Sequence, residues 1–244
     1  MTGIESVNLW VAPGRFPVWE QNPGFRKAVM STIDREGIVA GLVKGASTVA
    51  TSFLPGETAG STPGVPAYGK DIEAAKAMLT EAGITDGGPE FEVWVASGFL
   101  PRAEEVGNAI VSSMQEAGLH PKLVTSDLDG MIDDIFSADG TGAMYHLSWA
   151  SNGDPFAAAR VYSDNFAWKT GDAELQTLIE SIATTTDPVE RQAAVDAFQA
   201  YIWDKMYQVP LYNSDFTVAY AKDLTGLDVR PDFQTVFYPA SVGE

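Results

Sequence analysis

Between residues 91 and 149 the sequence repeats one rhythm, a short apolar segment followed by an amphipathic one, and few folds accommodate it. Phe91-Glu92-Val93-Trp94-Val95 reads as a strand and Ser97-Gly98-Phe99-Leu100 as a turn. Pro101 suits a first helical position, with Glu104 and Glu105 near the positive end of a helix that runs to about Ala117 and stops at Gly118. Lys122-Leu123-Val124-Thr125 is the next strand, and Asp127 opens a helix through about Ser137. Asp139-Gly140-Thr141-Gly142 then turns the chain into an apolar, aromatic strand, Met144–Trp149. Strands alternating with helices predict an α/β domain, largely parallel here. In such sheets ligands approach the carboxyl ends of the strands. Two ends stand out, Ser97-Gly98-Phe99 and Trp149-Ala150-Ser151-Asn152. The second passes abruptly into Ser151-Asn152-Gly153-Asp154-Pro155, which is turn chemistry. A strand that stops at a Trp followed by Ser, Asn and Asp sets a flat stacking face beside hydrogen-bonding groups, as small-molecule sites do. The competing reading is a core strand followed by an ordinary surface turn.

The flanks are read in the same way. Val7–Val11 is a strand, and Asn22-Pro23-Gly24 is a helix entry. Phe25 to Lys44 reads as one long amphipathic helix with Phe25, Val29, Ile33, Val39 and Leu42 among its apolar positions, stopped at Gly45. From Ser47 to Gly69 the chain is rich in Pro, Gly, Ser and Thr. Its apolar punctuation, Phe53, Leu54, Val65 and Tyr68, predicts a long loop packed on the body. Asp71 caps a helix closed by Gly83. Phe156 to Trp168 is aromatic and irregular or partly helical, Asp172 caps a helix to about Thr184, and Asp187-Pro188 starts a longer one ending near Met206. Val209–Tyr212 and Thr217–Tyr220 read as late strands separated by Asn213-Ser214-Asp215.

Charge and composition narrow the function. A formal net charge of −18 repels phosphate backbones and anionic membrane surfaces, so no nucleic-acid partner is expected. No stretch is long and apolar enough to span a bilayer, and the first six residues lack the basic and apolar regions of a signal peptide. The absence of cysteine excludes disulfides, Cys-ligated zinc and thiol catalysis. His120 is expected to be exposed and His146 to be a core histidine within its strand. No zinc-protease, phosphate-loop or nucleophile-elbow motif occurs. Asp127, Asp129, Asp133 and Asp134 lack calcium-loop spacing and read as a helix cap plus a solvated face. No catalytic residue, cofactor or metal is expected. Trp94, Phe99, Trp149, Phe156, Tyr162 and Trp168, at strand ends and in loops, are candidates for a ligand wall.

Five segments, in this order, carry a resemblance. They are Phe25-Arg26-Lys27-Ala28-Val29 followed by Ile33-Asp34-Arg35-Glu36-Gly37-Ile38-Val39; Asp71–Leu79 with Glu81-Ala82-Gly83; Trp149 to Pro155; Asp187-Pro188-Val189-Glu190-Arg191; and Val209-Pro210-Leu211-Tyr212. Together they resemble the C-terminal lobe of the family 5 extracellular solute-binding proteins, the peptide/nickel/opine-binding components of ABC importers. The resemblance implies a type II periplasmic-binding-protein-like lobe, a mixed sheet flanked by helices, without the family's N-terminal lobe. It divides the chain into an interlobe entry segment (1–23), a lobe body (24–239) and a tail (240–244). It also implies one wall of an interlobe site for a peptide, opine or other small polar solute, a membrane permease as partner, and a periplasmic or extracellular location. Trp149 would stack on the solute, Ser151, Asn152 and Asp154 would hydrogen-bond it, and the Ser97-Gly98-Phe99 turn would offer backbone N–H groups to an anion. The sequence departs from the family where peptide-binding members often carry an Asp shortly after the Trp, since Ser151-Asn152 stand there. The alternative is a ligand-sensing module of a regulatory protein, without transport. This chain has no helix-turn-helix or basic patch to support it.

Overall fold

The computed structural model describes residues 2–44, 47–54, 58, 60–62, 68–151, 153–166, 168–215, 218–230 and 234–243. The predicted alternation forms β3 (Glu90–Ala96), α5 (Ala103–Glu116), β4 (His120–Ser126), α6 (Leu128–Phe136) and β5 (Gly142–Ala150). Among the described residues, two strands and four α-helices precede this unit: β1 (Thr2–Val11), α1 (Pro17–Gln21), α2 (Pro23–Met30), α3 (Arg35–Gly37), β2 (Ser47–Val49) and α4 (Ile72–Glu81). After it come α7 (Pro155–Ala159), α8 (Ala173–Thr184), α9 (Pro188–Lys205) and β6 (Gln208–Asp215).

These strands make one six-stranded sheet in the order β2-β6-β1-β5-β3-β4. β3 pairs in parallel with β4 and β5, whereas β1 runs antiparallel to both β5 and β6. The sheet is therefore mixed, and parallel only in the stretch that the alternation predicted.

Alternation along the strands gives the sheet two buried faces. Val7, Leu9, Val11, Val93 and Met144 meet Phe25 and Val29 of α2 and Val106, Ile110 and Met114 of α5. Gly107 lets α5 come close, because a Cβ there would lie 2.6 Å from Val95 Cγ1. On the other face, Trp10 and Tyr145 meet Met131 and Ile135 of α6, Leu175 and Ile179 of α8, and Val195, Phe198 and Ile202 of α9.

Local capping chemistry set the helix starts. The side chains of Asp71, Asp127, Asp172 and Asp187 each accept a backbone N–H from the first turn they precede. The long helix over 25–44 is broken instead. α2 ends at Met30, where the Thr32 hydroxyl donates back to the Val29 carbonyl, and Asp34 starts α3 by accepting from Gly37 N. A π-helical segment, Ile38–Val43, follows, and Gly45 lies outside the described residues. Pro101 is not the first residue of α5. The helix starts at Ala103, after Arg102 in a left-handed conformation (φ 54°), and has no side-chain cap.

The stretch expected to be one long loop from Ser47 opens with β2; after it Phe53 and Leu54 are buried, while Val65 lies outside the described residues. Asn213-Ser214-Asp215 is not a turn. It continues β6, because Ser6 and Glu5 of β1 pair with Asn213 and Ser214 on one side while β2 pairs with the same residues on the other. Of the expected second late strand, Thr217 lies outside the described residues and 218–220 form no strand. Beyond it, β7 (Leu224–Thr225) pairs with β10 (Ser241–Val242), and β8 (Asp228–Val229) with β9 (Thr235–Val236).

Asp134 departs from the expected solvated face. Its carboxylate pairs with Arg15 at 3.1 Å and accepts from the Tyr145 hydroxyl and from Thr141 and Gly142 N–H. Arg15 also donates to the carbonyls of Asp134, Ile135 and Ser137. Burial alone would raise the Asp134 carboxyl, but these hydrogen bonds and the Arg15 charge hold it below its ordinary range.

Candidate functional site

Parallel pairing puts the carboxyl ends of β3, β4 and β5 on one edge of the sheet. The antiparallel neighbours bring the first residues of β1 and the last residues of β6 to that same edge, with Ser6 opposite Trp149 on one side and Asn213 on the other. Trp149, Ser6 and Asn213 therefore form one row on one face.

Trp149 is half-buried. Its indole N–H donates to the Ala157 carbonyl at 2.9 Å, and its ring meets Phe166 edge-on at 5.5 Å. The Arg160 guanidinium lies 5.0 Å from the Phe166 ring centroid and is exposed. These three side chains make a wall with an apolar centre and a cationic end.

The polar residues that follow the Trp divide. Ser151 is fully buried, not open to a ligand. Its hydroxyl bonds Thr58 Oγ1 at 2.5 Å and accepts from Gly153 N at 3.2 Å. Asp154 is exposed and caps α7, accepting from Phe156 N at 2.7 Å, and it pairs with Arg191 at 3.0 Å. Beside that pair lies a cavity of about 270 Å³ bounded by Pro155, Thr186, Pro188 and Val195. Asn152 lies outside the described residues.

At the end of β3, Ser97, Gly98 and Phe99 are all exposed, and Gly98 takes a positive φ of 72°. Two of the three N–H groups offered to an anion are already used, Ser97 N by the Ser126 carbonyl at 2.8 Å and Phe99 N by the Ala96 carbonyl at 3.4 Å. The Ser97 hydroxyl donates to Glu104 at 2.5 Å.

Three other wall candidates have partners within the fold. Tyr162 and Trp168 are buried against Trp10, with Trp168 stacked on it at 5.9 Å. Trp94 donates its indole N–H to Glu92. His146 is buried, and neither ring nitrogen has a hydrogen-bond partner among the described residues; burial pushes its pKa down to about 4. His120 is exposed, as expected. Among the described residues no group of His, Asp and Glu could hold a metal ion, and no helix is long and apolar enough to cross a membrane.

Sequence reading missed Arg160, Phe166 and Asn213. Asn213 is buried, and its side-chain oxygen has no partner among the described residues. Its neighbours Ser214 and Asp215 gave it the look of a turn. Phe166 and Arg160 carried no local signal, because only folding brings Phe166 against Trp149 and Arg160 over Phe166.

A mixed sheet covered by helices on both faces, with an open carboxyl edge, is the fold of the periplasmic-binding-protein-like substrate-binding proteins. The chain belongs to the bacterial extracellular solute-binding proteins, family 5, whose middle-region model matches residues 15–200. Members of that family are binding proteins and not enzymes. The dipeptide-binding protein of Escherichia coli (strain K12) is 25% identical over 218 residues, 84% of this chain and 40% of that protein. The structure of HbpA2 from Haemophilus parasuis matches with a TM-score of 0.82 at 23% identity, over 100% of this chain and 49% of that one. A dipeptide-binding protein from Pseudoalteromonas sp. SM9913, in complex with Met-Leu, matches with a TM-score of 0.81 at 21% identity, over 99% and 49%. The structural likenesses establish the fold. The chain spans about 40% of the curated relative's length and about half of each structural one.

Proposed function

We propose that the chain is one lobe of the solute-binding component of an ABC importer, working outside the cytoplasmic membrane and delivering solute to a permease. The observation that carries this reading is Trp149. Its ring is half-buried at the carboxyl end of a central strand, braced by Ala157 and Phe166, on the edge where β1 starts and β6 ends. A second lobe closing on that edge would trap a solute against the ring.

The solute is a small polar molecule, with peptides and opines as candidate classes. Trp149 would supply the stacking face, and Asp154 and the Ser97-Gly98-Phe99 turn would supply polar contacts from the carboxyl ends of β5 and β3. Ser151 supports the loop from inside through Thr58.

Enclosure by two lobes divides the binding energy between them. A micromolar complex is worth roughly 8 kcal/mol, so half of it leaves one lobe in the millimolar range or weaker. The test is calorimetry of the two-lobe protein and of this chain against a panel of di- and tripeptides and opines. Micromolar binding to the former, millimolar binding to the latter, and loss of both on Trp149→Ala are expected. Submicromolar binding by this chain alone would show a complete receptor, and binding indifferent to Trp149→Ala would remove the site.

A further inference from the structure

Besides the apolar stripe that α9 buries in the core, the helix carries a polar one, Gln192, Asp196 and Gln199. Their spacing of four and three residues puts them on one face. All three are spent on the chain that follows β2. Gln199 accepts from the buried Ser52 hydroxyl at 2.6 Å and donates to Thr62 Oγ1 at 3.3 Å. Gln192 donates to the Gly60 carbonyl at 3.1 Å, and Asp196 accepts from the Thr62 hydroxyl at 3.1 Å. Ser61 ties the stretch together, its hydroxyl donating to the Leu54 carbonyl and its N–H to the Thr58 carbonyl. Thr58 carries this anchorage to the solute edge. It is buried, and its hydroxyl shares a 2.5 Å hydrogen bond with that of Ser151.

We propose that Thr58 is a positioning residue of the solute site, setting the attitude of the Trp149 ring without touching the solute; the proposal rests on the reading of Trp149 as a ligand wall. The path from Thr58 to the ring is short. The Ser151 hydroxyl accepts from Gly153 N at 3.2 Å and its carbonyl from Asp154 N at 3.0 Å, so Ser151 shapes the turn that enters α7. α7 in turn supplies the Ala157 carbonyl that holds the indole N–H. A second tether of the same turn, Asp154 to Arg191 of α9, is exposed, and water competes for it. The Thr58 tether is buried, where a hydroxyl deprived of its partner costs more and the turn has reason to rearrange.

The test uses the two-lobe protein labelled with 5-fluorotryptophan, in which Trp149→Phe identifies the Trp149 fluorine resonance. Thr58→Val keeps the side-chain shape and removes the hydroxyl. It is expected to shift or broaden the Trp149 resonance and to leave those of the core residues Trp10 and Trp19 in place. Thr58→Ser keeps the hydroxyl and should leave all three unmoved. Ser151→Ala should act as Thr58→Val does and replaces it if that variant does not fold. The double variant should do no more than either alone, because both break the same contact. In calorimetry against the di- or tripeptide or opine that binds tightest, Thr58→Val should weaken binding about tenfold and Thr58→Ser should bind as the parent does. A Trp149 resonance unmoved by Thr58→Val and Ser151→Ala, equal effects of Thr58→Val and Thr58→Ser, or a loss of thermal stability with resonance and affinity unchanged would overturn the proposal. The two readings fail separately. If Trp149→Ala abolishes binding and Thr58→Val leaves it intact, only the Thr58 assignment falls; if binding ignores Trp149→Ala, the site falls and the role of Thr58 in it.

Discussion

Both edges of the sheet hold charged and aromatic groups, and they use them differently. At the edge where β5 begins, Arg15, Asp134 and Tyr145 saturate one another and the carbonyls around them. Cavities of about 300 and 340 Å³ open there, both lined by Arg15, whose guanidinium is already spoken for. At the edge where β5 ends, Trp149 is half-buried and Arg160 has no hydrogen-bond partner among the described residues. Volume alone would rank the first edge above the second. Unspent hydrogen-bonding and stacking capacity ranks them the other way, because a ligand gains little from groups the protein has already satisfied.

The comparison breaks most visibly at Arg15. Arg15→Met leaves Asp134 and several carbonyls without their cation and should cost about 3 kcal/mol in urea unfolding. Solute binding by the two-lobe protein should be unchanged. A variant as stable as the parent would show that the first edge is not held by this network.

His146 lies on β5 between the two edges. Burial lowers its pKa from 6.5 to about 4, so the unfolded chain takes up a proton first. Its contribution to stability is complete above pH 6.5 and is lost as the pH falls toward 4, by about 3 kcal/mol at the lower limit. Urea unfolding at pH 7 and pH 4.5 should show a smaller loss in His146→Met than in the parent. Equal losses would mean that His146 finds a proton acceptor in the fold.

Trp149→Ala sharpens the comparison from the other side. The indole has one hydrogen bond and one ring contact and is only partly buried against the core, so truncation should cost about 1–2 kcal/mol, less than the 3–5 typical of a core Trp. Binding should be abolished. A loss of stability in the core range with binding intact would make Trp149 part of the core.

Asp154 should give the smallest effect. Asn also caps helices, and an exposed ion pair contributes little, so Asp154→Asn should shift stability by under about 1 kcal/mol. A large loss of solute affinity in this variant would move Asp154 from helix cap to ligand contact. Calorimetry and urea unfolding on the same preparation separate the two.

Asp71, Asp127, Asp172 and Asp187 were legible as helix caps because a cap and the N–H it accepts lie within three residues. The alternation over 91–149 was legible because the period of apolar residues reports the element that buries them. The same logic misled where a distant partner outvoted local preference. Asn213-Ser214-Asp215 has turn chemistry, but unpaired backbone on β1 and β2 draws it into the sheet. Asp134 shares a helix with solvated aspartates, but Arg15, 119 residues away, claims it.

By itself the sequence determined the α/β class, the helix starts capped by Asp71, Asp127, Asp172 and Asp187, and the place of Trp149 at a strand end, since periodicity, capping and turn chemistry act over a few residues. The tertiary structure decided which of the Trp149 neighbours face outward. It turned Ser151 inward onto Thr58, 93 residues away in the chain, and tied Asp154 to Arg191. It also brought Phe166 to the Trp149 ring and Arg160 to Phe166. Those outcomes depend on packing between segments far apart in sequence, where the burial of one side chain is settled by whichever partner the fold sets against it.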